Sequence, residues 1–253
     1  MSRERRAVLP EMPRRACERL RDGLVEILGP DLVGLWAYGA ETQPDRPARL
    51  GDLDVHAVFA RPPAPGVARA IAALQSRSAR EFGVEWDAWY IAEHDARSVT
   101  PPRHVLQPHL VDGAWALHRA HWLAGAFVSL HGAEPPELVP PPSWPELLDA
   151  LCRELAFIAS LLGRGRAGTA EIAYCVCNAC RVLYSVKHRD VVVSKRAASS
   201  WALGSAPAAW RQAIEAAVRV YDDAEVGGDD AVLRSSAAEI VTAVAERLSR
   251  ETS

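Results

Sequence analysis

The sequence predicts an α+β protein of two domains, in which a small mixed sheet forms the first domain and an all-α helical bundle the second. In the first half, short apolar runs alternate with stretches of helical spacing, a pattern typical of a sheet covered by helices. A proline-rich segment at residues 134–145 follows, and such segments commonly act as linkers. Every later pattern is helical. We therefore predict domains at residues 1–135 and 143–253.

The first domain is predicted to begin with an amphipathic helix that ends at Gly29 and Pro30. The apolar run that follows ends at Tyr38 and reads as a buried strand, and the polar loop after it leads into a second strand. The predicted elements are a helix at 14–28, strands at 32–38 and 53–59, a helix at 67–82, a strand at 85–91 and a helix at 114–130.

The second domain begins at Ser143, a residue type that caps helices, with Pro145 and Glu146 in the first turn. Thr169 is placed to cap the next helix in the same way. The predicted helices run over about 144–162, 170–188, 194–203, 208–221 and 230–250.

Composition narrows the class of function. The chain has 253 residues and a formal net charge of −3, so it lacks the basic footprint of a dedicated nucleic-acid binder. No apolar run approaches the roughly 20 residues that span a bilayer, and the charged N-terminus lacks the apolar segment of a signal peptide. Five cysteines, an odd number, favour reduced thiols in the cytoplasm. We expect a cytoplasmic protein with no membrane partner.

Two aspartates stand out in the second predicted strand. Asp52 and Asp54 are two residues apart in an otherwise apolar run, so their carboxylates leave the same face of the strand. Carboxylates held this close raise each other's pKa unless a cation lies between them. Magnesium suits such a site because it prefers hard oxygen ligands. The alternative is that one aspartate caps a turn and the other lies on an exposed strand edge.

The third predicted strand carries a second acidic pair, Glu85 and Asp87, again on one face. If this strand lies beside that of Asp52 and Asp54, three or four carboxylates converge. Such a patch suits metal-assisted nucleotidyl transfer, in which a further carboxylate takes the proton of the attacking hydroxyl. The alternative for Glu85 and Asp87 is a solvated strand face.

Other chemically capable residues give weaker signals. The histidines in the first domain lack metal-ligand spacing with acids, and Asp112 reads as a turn residue. Trp115 is a candidate to stack on a substrate, although core packing is an equal alternative. Cysteines 175, 177 and 180 fan around a helix and read as core residues rather than a metal site.

Two motifs carry a family resemblance. Gly39-Ala40, a loop, and then Asp52-Leu53-Asp54 resemble the Gly-Ser and Asp-x-Asp motif of the polymerase-β-like nucleotidyltransferases. Residues 180–185 (Cys-Arg-Val-Leu-Tyr-Ser) and 193–202 (Val-Ser-Lys-Arg-Ala-Ala-Ser-Ser-Trp-Ala) resemble the helical domain of the aminoglycoside 3''-adenylyltransferases, the antibiotic-resistance enzymes that modify streptomycin and spectinomycin. The resemblance covers nearly the whole chain.

The resemblance implies roles for individual residues. It makes Asp52 and Asp54 magnesium ligands and Glu85 the general base, with Mg2+ as cofactor and ATP as substrate. The residues that it assigns to the nucleotide are Gly39, Ala40, Gly51, Arg181 and Lys195. The residues that we assign to the acceptor are Glu171, Asp87 and Trp115.

The chain departs from the family pattern at three positions. Ala40 and Gly51 stand where the drug-modifying enzymes have serines, which removes two hydroxyls but keeps backbone N–H donors for a phosphate. Ala167 stands where a second acid would accompany Glu171. The departures concern phosphate binding and the acceptor more than the metal ligands.

Three functions remain open from the sequence. The first is an adenylyltransferase that moves AMP from Mg·ATP to a hydroxyl of a small aminoglycoside-like acceptor, working as a monomer. The second is a repurposed member that binds a nucleotide or small molecule without turnover, prompted by Ala40 and Gly51. The third is transfer to a protein or RNA end, which the absence of a basic patch disfavours.

Overall fold

The computed structural model describes residues 7–46, 52–223 and 229–252. The described residues form two compact units, one of residues 7–44 and 52–142 and the other of residues 45–46 and 143–252. The first unit contains the sheet and the second consists of helices. The predicted α+β class, with a small mixed sheet and a helical bundle, is confirmed.

The first unit is built around a sheet of four strands in the order β3-β2-β1-β4. Strand β1 pairs antiparallel with β2 and with β4, whereas β2 and β3 are parallel. The strands are β1 (Leu32–Tyr38), β2 (Asp52–Phe59), β3 (Glu85–Ala92) and β4 (Val128–Gly132). The helices of this unit are α1 (Glu11–Leu28), α2 (Pro65–Phe82), α3 (Glu93–Ala96), α4 (Trp115–Leu123) and α5 (Pro135–Leu138).

The two faces of this sheet differ in composition. One face packs aliphatic strand residues against α1 and α2, with Leu20, Leu24 and Leu74 in the same core. The other face carries an aromatic core that includes Trp36 of β1 and Trp122 of α4. Because side chains alternate along a strand, the odd-numbered residues of β2 enter the aliphatic core and the even-numbered ones face the aromatic side.

The predicted helix at 114–130 is wrong in its second half. Helix α4 ends at Leu123, and Gly125 adopts a φ of 85° in the left-handed region. The N–H of Ala126 donates to the carbonyl of His121, which closes the helix end. The residues beyond form β4, whose pairing with β1 overrides their helical spacing. The sheet therefore has one strand more than the sequence predicted.

The second unit contains five helices, and its long central helix α7 is buried along most of its length. These helices are α6 (Trp144–Gly163), α7 (Thr169–His188), α8 (Lys195–Ser205), α9 (Arg211–Asp223) and α10 (Asp229–Thr252). Ser143 caps α6 in a reciprocal capping box with Glu146, as the sequence predicted. Ser194 caps α8 by accepting from the N–H of Ala197 at 2.9 Å.

The cysteines of α7 are core residues, as predicted. Cys175, Cys177 and Cys180 are buried free thiols. Burial raises the pKa of Cys177 to about 11, so its thiol stays protonated and unreactive. In the described parts of the chain, no helix is both long enough and apolar enough to cross a membrane.

Candidate active site

Three aspartates converge at the start of the two parallel strands. Asp52 and Asp54 lie on β2, and the parallel register places Asp87 of β3 directly beside Asp54. One carboxylate oxygen from each of the three lies within 4.8 Å of the others. We call these three residues the carboxylate triad. An all-oxygen donor set at this spacing fits a hard divalent cation such as Mg2+.

The surroundings of the triad affect the pKa of Asp87. Loss of water around Asp87 raises the pKa of its carboxyl, and the carboxylates of Asp52 and Asp112 add to this rise, while His118 opposes it. The side chain of Asp87 is exposed, as is that of Asp52. The three carboxylates therefore share a water-accessible end of the two strands.

The register separates the two acids of β3. Glu85 pairs with Asp52 at the outer end of the strands, and Asp87 pairs with Asp54 and completes the triad. Both side chains are exposed. The resemblance implied Glu85 as the base and the sequence assigned Asp87 to the acceptor, whereas the carboxylate that lies with those of Asp52 and Asp54 is that of Asp87.

Gly39 ends β1 against the triad. Its φ of 77° lies in the left-handed region, and a Cβ built there meets Oδ2 of Asp54 at 1.8 Å. Only glycine allows the backbone to approach this carboxylate so closely. Ala40 begins a short turn that runs to Thr42, whose hydroxyl donates to the Gly39 carbonyl at 2.9 Å. Gly51, which the sequence assigned to the nucleotide, lies outside the described residues.

The two predicted phosphate-binding cations lie in the helical unit. Lys195 is in the first turn of α8, and its Nζ lies 4.6 Å from the ring centroid of Tyr174 and 5.6 Å from that of Tyr221. Arg181 of α7 is half-buried and donates to Oδ1 of Asn178 at 3.4 Å.

These cations share the same aromatic surroundings. The charge of Arg181 acts on both Tyr174 and Tyr221, opposing the rise in pKa that burial causes in the two phenols. Burial is the larger effect and raises the pKa of Tyr221 to about 12. The tyrosines were missed from the sequence because they come from different helices, and helical spacing alone does not bring helices together.

Glu171 and Trp115, two of the residues assigned to the acceptor, make hydrogen bonds within the protein. Glu171 is exposed in the first turn of α7, and its Oε2 accepts from the backbone N–H of Gly168 at 2.7 Å. Trp115 is 0% exposed, and its indole N–H donates to the carbonyl of Ser98 at 3.0 Å. A side chain with no accessible surface cannot contact a substrate in this conformation. We therefore correct the assignment of Trp115 from acceptor contact to core residue.

A second polar cluster lies on the same sheet face as the triad. His56 follows Asp54 by two residues on β2 and is buried with Asp112, which lies just before α4, and His118 of α4. Nδ1 of His118 is 2.9 Å from Oδ2 of Asp112, and Nε2 of His56 is 3.5 Å from the same oxygen. We call these three residues the His-Asp-His cluster. The sequence gave no sign of it, since its members are far apart in the chain.

The two histidines of this cluster have opposite shifts. Burial lowers the pKa of His56 to about 4, although Asp112 opposes the shift. Burial also disfavours charge on His118, but the carboxylate of Asp112, helped by Asp54 and Asp87, outweighs it and raises the pKa of His118. Burial would raise the pKa of Asp112, but His118 and His56 together lower it. The surroundings therefore favour the neutral form of His56 and the charged form of His118 beside one carboxylate.

Comparison with known proteins finds similarity in the helical part of the sequence and in the fold. Residues 146–249 match the family model described as "Aminoglycoside adenylyltransferase, C-terminal domain". The chain also resembles the crystal structure of spectinomycin adenyltransferase AAD(9) from Enterococcus faecialis, solved with ATP and spectinomycin, at a TM-score of 0.72 and 14% identity. That match covers 93% of this chain and 99% of the other. No curated protein gives a significant match.

The chain therefore has the fold of this adenyltransferase structure. Its helical part, residues 146–249, is similar to the C-terminal domain of aminoglycoside adenylyltransferases. The predicted resemblance to that family is confirmed.

Proposed function

We propose that this protein transfers AMP from Mg·ATP to a hydroxyl group of a small aminoglycoside-like acceptor and releases pyrophosphate. The observation that carries the proposal is the carboxylate triad of Asp52, Asp54 and Asp87, with ligand atoms within 4.8 Å of one another. In this proposal residues 1–135 form the catalytic domain and residues 143–253 the helical domain. The enzyme is expected to act as a monomer on a small molecule and not on nucleic acid.

We assign two residues of the triad to metal binding and the third to proton transfer. Asp52 and Asp54 hold Mg2+, which when bound neutralises charge on the triphosphate. Asp87 accepts the proton of the acceptor hydroxyl, whose oxygen then forms a bond to the α-phosphorus while the bond to the pyrophosphate oxygen breaks. The position of Asp87 beside Asp54 in the strand register supports this role. Glu85, at the outer end of the same strand face, is the alternative base.

Phosphate binding is assigned to backbone and cationic groups. Gly39, Ala40 and Gly51 offer backbone N–H donors, a mode that needs no side-chain hydroxyl. Arg181 and Lys195 neutralise the charge on the leaving pyrophosphate. The two tyrosine rings around the Nζ of Lys195 restrict the side chain and so reduce the entropy lost on binding.

The acceptor is proposed to carry amino groups. The AAD(9) structure was solved with spectinomycin, and Glu171 offers an exposed carboxylate in the helical domain. Because Ala167 stands where the family pattern has a second acid, the protein offers fewer carboxylates to bind a polycation. This favours an acceptor with few positive charges.

The second candidate function is nucleotide or small-molecule binding without turnover. It is favoured by one observation, the alanine at position 40, which removes a phosphate-binding hydroxyl beside the triad. The two candidates differ in a single assay, in which the protein is incubated with ATP, Mg2+ and a panel of aminoglycosides and pyrophosphate is measured. Pyrophosphate release that depends on the acceptor supports transfer, whereas ATP binding with no release on any acceptor supports the binding protein.

A further inference from the structure

His56 is buried in an aromatic cage with its ring nitrogens unsatisfied. Its ring is 0% exposed and packs among the side chains of Trp36, Trp122 and Tyr38, with centroid distances of 4.7 Å to Trp122 and 5.2 Å to Tyr38. Among the described residues, Nδ1 of His56 has no hydrogen-bond partner, and Nε2 has only a 3.5 Å approach to Oδ2 of Asp112, which is too long for a good hydrogen bond. Leaving a buried polar group unpaired costs free energy, so this ring calls for a partner that protein atoms do not supply.

The carboxylate of Asp112 is oriented so that one oxygen faces both histidines. Oδ1 accepts from the N–H of Ala114 at 3.0 Å, which fixes the side chain in the turn before α4. Oδ2 then lies 2.9 Å from Nδ1 of His118 and 3.5 Å from Nε2 of His56. Asp112 is 2% exposed, so this oxygen is held away from bulk water.

We propose that His56, Asp112 and His118 bind a divalent transition-metal ion of the Zn2+ class, separately from the carboxylate triad. Ligands about 2.0–2.1 Å from a tetrahedral zinc lie roughly 3.3 Å from one another. The two measured separations fall on either side of that value, and all three ligand atoms lie within 4.8 Å of one another. Binding would bring the two imidazole nitrogens from within 4.8 Å of each other to the roughly 3.3 Å of a tetrahedral site.

The donor atoms distinguish this site from the triad. Two imidazole nitrogens and one carboxylate oxygen suit Zn2+ and its neighbours, whereas three carboxylates suit Mg2+. The side chain of His118 is 20% exposed whereas His56 and Asp112 are buried, so an ion and a water ligand would enter past His118. A bound ion ties β2, which carries Asp52 and Asp54, to helix α4.

The test uses the full-length protein in an Asp52→Asn/Asp54→Asn background, which weakens cation binding at the triad. After removal of metals with a chelator, the protein is titrated with Co2+ alone. We expect one equivalent of Co2+ to bind with the visible absorption of a four-coordinate site containing nitrogen ligands, and Zn2+ to displace it. His118→Ala is expected to lower the Co2+ affinity by at least about tenfold. His121→Ala, a matched histidine substitution on the same helix, is expected to leave it unchanged.

A second measurement, the Tm with and without Zn2+, distinguishes loss of metal binding from loss of folding. Zn2+ is expected to raise the Tm of the parent and of His121→Ala but not that of His118→Ala or His118→Gln, since a ligand stabilises only the state that binds it. Circular dichroism establishes that each variant is folded. The proposal is overturned if the parent shows no visible Co2+ absorption, or if folded His118 variants bind Co2+ as tightly as the parent. Either result would leave the cluster as a hydrogen-bonded His-Asp-His relay.

Discussion

Along strand β2 the two faces of one sheet carry different chemistry. The odd-numbered residues, such as Leu53 and Val55, pack into an aliphatic core against α1 and α2. The even-numbered residues Asp52, Asp54 and His56 face the other way, where the triad and the His-Asp-His cluster lie. The difference shows how one strand serves stability and chemistry together, with alternate side chains assigned to each.

The polar face is itself divided by burial. At the strand start, Asp52 is exposed and Asp54 half-buried, so a cation and a triphosphate have access. Two residues further on, His56 is buried among aromatic rings, and Asp112, which lies beside it, is buried too. We expect substitutions at the triad to affect turnover and substitutions in the His-Asp-His cluster to affect stability.

The largest expected effect is that of Asp54→Asn. Removal of one carboxylate from the metal site should lower kcat/KM for the acceptor about 10³-fold, because the metal neutralises charge in the transition state. Glu26→Gln, an exposed acid on α1 against the opposite sheet face, should change kcat/KM by less than about twofold, a loss of under ~0.5 kcal/mol. Steady-state kinetics at saturating ATP provides the measurement, with unfolding curves to establish that both variants are folded. An equal loss in both variants would contradict the separation of the faces.

The next effect separates Asp87 from Glu85. If Asp87 is the base, Asp87→Asn should lower kcat about 10²-fold, whereas Glu85→Gln should lower it by less than about threefold. The two substitutions remove one charge each from the same strand face, so they form a matched pair. A larger loss in Glu85→Gln would return the role of base to Glu85.

Gly39→Ala tests the contact between β1 and the triad. The added methyl group must displace the Asp54 carboxylate, and we expect kcat to fall on the order of tenfold or more, since small misplacements of catalytic groups are costly. Gly83→Ala is the control, because Gly83 also has a positive φ but its Cβ meets nothing within 4 Å. Gly83→Ala should lose about 1 kcal/mol of stability from backbone strain. Gly39→Ala should lose more, about 1–3 kcal/mol, because its ψ of −154° at a φ of 77° is a conformation essentially restricted to glycine. Comparable turnover in the two would mean that Gly39 serves only the turn.

The smallest expected effect is a pH dependence of stability in the His-Asp-His cluster. Because the pKa of His118 is raised above its ordinary value of 6.5 in the folded state, the stabilisation from its charged form is fully present below about pH 6.5 and is lost as the pH rises through the folded pKa. The gap in free energy of unfolding between wild type and His118→Asn should therefore shrink as the pH increases above about 6.5. Urea unfolding across that range measures it.

The control for this pH dependence is His94→Asn, at a histidine whose side chain is 74% exposed. The difference in free energy of unfolding between wild type and His94→Asn should stay small and change little over the same pH range, because an exposed ion pair contributes little to stability. His56 has the opposite effect on stability, because burial lowers its folded pKa to about 4. Its contribution to the free energy of unfolding is present above pH 6.5 and is lost as the pH falls towards 4. A gap for His118→Asn that widens with pH would contradict the charge pairing with Asp112.

Much of the fold could be predicted from the sequence, because alternation along strands and capping residues are local signals. The facing carboxylates of Asp52 and Asp54 followed from a strand period of two. The choice between Glu85 and Asp87 did not, since both lie on one face and only the register between strands separates them. Strand β4 was missed because its pairing with β1 is a tertiary effect, although Gly125 marked the end of the helix before it.

The clusters formed by residues that are distant in the chain could not be predicted from local sequence patterns. His56 lies in an apolar strand and His118 in a helix, and their meeting at Asp112 depends on how α4 packs on the sheet. Tyr174 and Tyr221 meet Lys195 for the same reason within the helical unit. Packing of separate elements, rather than local periodicity, creates these sites.

The most direct test of the account follows the α-phosphate of ATP. The protein is incubated with Mg2+, spectinomycin or another amino-bearing acceptor, and ATP labelled either at the α-phosphate or at the γ-phosphate. The account predicts that the α-label moves to the acceptor and the γ-label leaves as pyrophosphate, with both events abolished in Asp54→Asn. Bound ATP that transfers neither label to any acceptor, or γ-label appearing on the acceptor, would contradict adenylyl transfer by the carboxylate triad.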